Sequence, residues 1–177
     1  MFQKDDYVIY GSNGVCMIKD VGPLDLPGIP KEQIYYTLIP YYTKDSQIFT
    51  PVDSHKVVMR SLICKEDIMR LIDEIPDIEL LWIADEKQRE SKYKETLRKC
   101  DCRELIRIIK TIYKRMQQRS AEGKKMTASD EKYFHLAQES LYGEFAITLG
   151  MERDQIRDFI SGKVRKKAEE QIDRVTG

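Results

Sequence analysis

Near residue 60 the hydrophobic pattern changes its period, and that change limits the fold more than any other feature. Before it, short apolar runs are separated by turn residues. Residues 7–10 (YVIY) read as a strand, residues 11–14 (GSNG) as a tight turn, and residues 15–18 (VCMI) as the returning strand of a hairpin. The Gly- and Pro-rich residues 22–31 make a loop. A third strand covers residues 34–41, broken at its end by Pro40, a fourth residues 47–52, and a short fifth residues 57–59. Six of the ten tyrosines lie in this part. Five short strands at this spacing, with no long helix among them, predict a small curled sheet or open barrel.

After residue 60 the apolar residues recur at helical spacing. Ile68, Leu71, Ile72 and Ile75 share a face of a helix that Pro76 ends. Residues 78–84 begin the next one. Leu105, Ile108, Ile109, Ile112 and Met116 stripe a further helix, with Asp101 as its N-cap and Glu104 reaching back as in a capping box. Residues 120–126 are a loop. Thr127 and Asp130 repeat the capping-box pattern before a helix striped by Phe134, Ala137, Leu141 and Phe145, which Gly150 stops. Residues 152–160 form a last short helix, and the charged tail beyond Ser161 and Gly162 frays. The expected fold class is α+β: a β domain over residues 1–60, an all-α domain over residues 61–162, and a charged tail over residues 163–177.

Formal net charge is zero, yet charge is unevenly placed. Residues 85–119 carry twelve Lys or Arg against six Asp or Glu, whereas residues 61–84 carry two against six. A concentrated cationic stretch is the footprint of an anionic partner. Arg89, Lys92, Lys94 and Arg98 surround Tyr93, whose ring can lie along a sugar or base edge, and Arg107 follows on the next helix. Two adjacent helices with cations and an aromatic make a nucleic-acid platform.

Other classes have less support. No apolar run reaches the ~20 residues of a membrane helix, and the N-terminus lacks the apolar core of a secretory signal. A cytoplasmic protein without membrane association is expected. Cys16, Cys64, Cys100 and Cys102 fit no zinc spacing, and His55 and His135 are far apart in sequence. Reduced cysteines acting as small hydrophobes are the preferred reading. With no Gly-rich phosphate loop and no nucleophile motif, neither an enzyme nor a cofactor or small-molecule substrate is expected.

Residues 6–10, Gly14 and Val15, residues 35–40 and residues 48–52 resemble the polymerase-interacting domain of the CarD family of bacterial transcription regulators, a domain related to one in the transcription-repair coupling factor. Tyr93, Lys94 and Leu97, then Leu136, Ala137, Leu141 and Glu144, resemble the family's helical domain. The resemblance spans residues 1–160. It implies a Tudor-like (SH3-like) barrel that binds the RNA polymerase β subunit. It also implies a helical domain that holds promoter DNA at the upstream edge of the melted region and stabilises the open complex. Well-studied members wedge a tryptophan into the minor groove, an apolar insertion suited to an unstacked step.

This chain departs from that pattern in two places. Counting back from Tyr93, the wedge position falls on Arg89, and the sole tryptophan, Trp82, lies seven residues earlier. Arginine suits a narrow, negative minor groove. Trp82 either joins the DNA face or anchors the core, and the neighbouring Ile78, Leu81 and Ile83 favour the core. On the β domain, where relatives use arginines, this chain offers Phe49 on the fourth strand and Leu24 and Asp25 before the third. Phe49 is either an exposed contact or barrel core. The leading expectation is a non-catalytic transcription regulator; the alternative is a protein-interaction adaptor that does not bind DNA.

Overall fold

The computed structural model describes residues 1–176, which divide into two compact units, residues 1–62 and residues 63–176. The first unit is an antiparallel sheet of five strands: β1 Tyr7–Tyr10, β2 Val15–Pro23, β3 Ile34–Pro40, β4 Ile48–Pro51 and β5 Met59–Ser61. Their order is β4-β3-β2-β1-β5. The sheet is open, in keeping with the expected curled sheet or open barrel, and β4 and β5 are its edges. The β1–β2 hairpin turns through a 3-10 helix over Gly11–Asn13 and Gly14, whose φ of 66° suits glycine. Gly11 is also fixed by space, because an added Cβ would stand 2.5 Å from Val57 Cγ1.

Strand alternation supplies the core. Val8 and Tyr10, Cys16 and Ile18, and Tyr36 and Leu38 project to one face and bury together against Phe2, Ile48 and Met59. An irregularity in β2 between Ile18 and Asp20 shifts the pairing with β3, a bulge that bends the strand and increases its twist. Cys16 is fully buried, and burial pushes its thiol up to about 11. It packs as a small apolar side chain.

The second unit is helical: α1 Lys65–Glu74, α2 Arg89–Arg98, α3 Cys102–Ala121, α4 Ala128–Leu149 and α5 Ile156–Thr176. Its core joins Ile68 and Ile72 of α1, Tyr93 of α2, Ile108 and Ile112 of α3, Leu141 and Phe145 of α4, and Ile156 of α5. Both N-caps on α3 and α4 form, with Asp101 Oδ1 accepting from Glu104 N at 3.0 Å and Thr127 Oγ1 from Asp130 N at 3.1 Å. Neither closes into a capping box, because the second carboxylate is taken by cations: Lys99 and Arg107 hold Glu104, and Arg115 holds Asp130. Gly150 ends α4 in the left-handed conformation, φ 64°.

Two expectations on this unit are corrected. Residues 78–84 do not begin a helix. Pro76 breaks the chain into a 3-10 turn, and side chains of α3 then satisfy the backbone beyond it. Lys110 Nζ donates to the Ile75 and Ile78 carbonyls at 2.6 Å each, Arg107 Nε to the Glu79 carbonyl at 3.2 Å, and Leu81 N donates to Thr111 Oγ1 at 2.8 Å. Nor does the last helix stop at Ser161 and Gly162. Ile156, Phe159, Ile160 and Val164 share one face of α5 against the core, and Lys167 Nζ bonds the Asp73 carbonyl at 2.7 Å. That packing carries the helix through the glycine.

Candidate functional site

On the first unit the strand register separates two faces. Leu38 pairs with Ile48 on the core side, so Thr37 and its partner Phe49 point the other way, together with Ile39, Met17 and Tyr7. Phe49 is 44 % exposed on the edge strand β4. Leu24 is half-buried and Asp25 exposed in the segment after β2. Sequence reasoning did not single out an aromatic group elsewhere on this unit. Tyr7 and Tyr41 meet edge to face at 5.9 Å between ring centroids, and Tyr41 meets Tyr42 at 4.9 Å. All three are exposed. The available signal was the crowding of tyrosines into this part, but only the folded chain shows which of them reach solvent.

On the second unit the cations expected to face DNA have mostly intramolecular partners. Arg89 donates from Nε and Nη2 to both oxygens of Glu86 at 3.0 Å and from Nη1 to the Tyr93 hydroxyl at 3.1 Å. That hydroxyl donates to Asp130 Oδ1 at 3.1 Å, Arg115 Nε donates to Asp130 Oδ2 at 2.8 Å, and Arg115 returns to Glu86. Five side chains thus form a closed ring of charge-assisted bonds that locks the start of α2 onto α3 and α4. The hydrogen bond from Arg89 holds the Glu86 carboxyl below its usual range, and burial raises the Tyr93 hydroxyl.

Tyr93 is therefore not the surface ring that its basic neighbours suggested. It is fully buried, with its ring 5.6 Å from that of Tyr133. Lys92 pairs with Glu95 at 3.6 Å and Lys94 with Glu90 at 3.3 Å, exposed pairs of small energetic worth. Arg107 binds Glu104 at 3.0 Å as well as the Glu79 carbonyl. Arg98 is exposed and makes no ion pair among the described residues.

Trp82 corrects the core reading. It is 78 % exposed, while Leu81 beside it is 6 % exposed. In an extended segment adjacent side chains point to opposite sides, so burying Leu81 under α3 turns Trp82 outward.

The basic run and the acidic segment before it answer each other. Arg103 pairs with Glu74, while Lys110 and Arg107 bind the carbonyls that follow α1, where a helix end favours cations. Burial lowers the Lys110 ammonium pKa. Among the described residues, no three His, Cys, Asp or Glu side chains gather as a metal site, and no helix is long and apolar enough to cross a membrane.

Residues 2–63 match the CarD-like/TRCF RID domain. That family is an RNA polymerase-interacting domain, which gives the first unit a transcription-related, polymerase-binding character. A RID domain is a protein-interaction module and not a catalytic one. The five-stranded sheet, with its exposed Phe49 and tyrosine cluster, thus lies within the matched residues, and the helices α1–α5 lie beyond the match. No curated protein matches the chain closely enough to count as a relative.

Proposed function

We propose that the chain is a CarD-like transcription regulator without catalytic activity. The RID unit docks on the RNA polymerase β subunit, and the helical unit contacts promoter DNA at the upstream edge of the melted region, stabilising the open complex. The observation that carries this reading is the RID match over residues 2–63. On that unit the docking residues are Phe49, Leu24 and Asp25. Phe49 is a large exposed apolar side chain on an open edge strand, a surface suited to a protein partner.

On the helical unit the exposed Trp82 takes the place of the family's wedge. An indole ring that is 78 % exposed is free to insert at an unstacked base step, whereas the Arg89 guanidinium is held by Glu86 and Tyr93. Lys92, Lys94 and Arg98 supply phosphate contacts along α2, since exposed ion pairs exchange readily for phosphate. Arg107 adds field strength, and Tyr93 positions Arg89 from inside. The test is the lifetime of promoter open complexes with RNA polymerase and the full chain. The protein should lengthen it, and Trp82→Ala should remove most of that effect; an unchanged lifetime on adding the protein refutes the reading.

One observation favours a second reading, an adaptor that does not bind DNA. The cationic stretch is largely answered within the unit by Glu74, Glu86, Glu104 and Asp130 and by the carbonyls after α1. Salt separates the two. Phosphate contact gives a DNA affinity that falls linearly in log salt, by a slope of about 0.9 per phosphate neutralised, whereas the adaptor shows no DNA affinity to titrate.

A further inference from the structure

Under α5 runs a groove of about 440 Å³, within the size range of small-molecule sites. Its floor is apolar, from Ile106 and Ile109 of α3 and Leu141 of α4. Its roof is one face of α5, where Arg157, Ile160, Ser161, Val164, Arg165 and Ala168 recur at helical spacing. Tyr113, half-exposed, closes one side.

The lining contains three cations, Lys110, Arg157 and Arg165, and no carboxylate. Lys110 is already engaged with the Ile75 and Ile78 carbonyls and contributes only its field. Arg157 has only a loose 3.9 Å contact with Asp158, its exposed sequence neighbour. Arg165 has no ion pair among the described residues. An apolar trough lined by one unpaired and one weakly paired guanidinium complements one kind of molecule: an apolar body ending in an oxyanion, which arginine holds with two parallel hydrogen bonds.

We propose that this groove binds a small anionic amphiphile, a chain or ring compound bearing a single carboxylate or phosphate, with Arg165 and Arg157 holding the oxyanion. The lining residues all belong to the helical unit and do not include Trp82, so the groove gives that unit a ligand of its own.

The experiment is calorimetric titration of the full chain with decanoate, decyl phosphate and decanol, with backbone amide shifts to locate binding. At least one of the two anions should bind one site, shift amides of α3 and α5 around the groove, and bind roughly tenfold tighter than decanol. The tighter anion identifies the oxyanion. Arg165→Glu, at an exposed position, should weaken that anion roughly tenfold while leaving decanol unchanged. Ser161→Trp, which fills the groove, should abolish binding of all three. Decanol binding as tightly as the anions, Arg165→Glu without effect, or amide shifts confined to other surfaces would each overturn the proposal.

Discussion

The Tyr93 hydroxyl donates to Asp130 Oδ1 at 3.1 Å between two fully buried side chains, tying α2 to α4 from the inside. The same oxygen accepts from Arg89, so one phenol joins the exposed face of α2 to the core. Tyr93→Phe should lower stability by about 1.5–3 kcal/mol, the worth of hydrogen bonds to charged groups. Tyr93→Ala should cost about 3–5 kcal/mol, because a buried ring is also removed. Chemical denaturation checks both; Tyr93→Phe at wild-type stability would mean the ring of side chains is not closed in solution.

Trp82 should behave in the opposite way. An exposed residue contributes little to folding, so Trp82→Ala should change stability by no more than about 0.5 kcal/mol. Its effect should be on promoter DNA instead, read by fluorescence anisotropy of a labelled fragment carrying an unpaired upstream edge. A large loss of stability would place the indole in the core.

These two aromatics show where the sequence was legible and where it was not. Strand and helix identity followed from period, as with β1, β2 and the α4 stripe of Ala137, Leu141 and Phe145. Burial of a single aromatic depends on which face its segment turns inward. Tyr93 sits among Lys92, Lys94 and Glu95, and only the partner Asp130 on α4 shows that it faces inward. Trp82 sits among Ile78, Leu81 and Ile83, which read as a helix face until the carbonyls of this segment are seen to bond Arg107 and Lys110. The charge imbalance was legible as a pattern, but its partners were not. Arg103 and Glu74 are distant in sequence, and only folding brings them together.

Leu141 lies at the centre of the helical core, 2 % exposed. Leu141→Ala should cost about 2–5 kcal/mol, the range for removing a buried leucine side chain. Thermal unfolding of the variant checks this value.

Acid should destabilise the helical unit in a defined window. For Glu104, burial raises the carboxyl, but hydrogen bonds from Lys99 and Arg107 outweigh it and hold it below its ordinary value of 4.5; Arg89 does the same for Glu86. Below pH 4.5 the unfolded chain takes up protons at these groups before the folded one does. Their contribution is therefore full above that pH and is lost as pH falls through the lowered folded values. The melting temperature should drop across that window, and less steeply in the Glu86→Gln, Glu104→Gln double variant. Equal slopes in variant and wild type would assign the acid sensitivity to other groups.

The most direct test of the account is capture of the RNA polymerase β subunit by the full chain, alongside Phe49→Glu. The wild-type chain should retain the β subunit, and the Phe49→Glu variant, still folded by circular dichroism, should lose it. Failure of the folded wild-type chain to retain the β subunit would contradict the central claim.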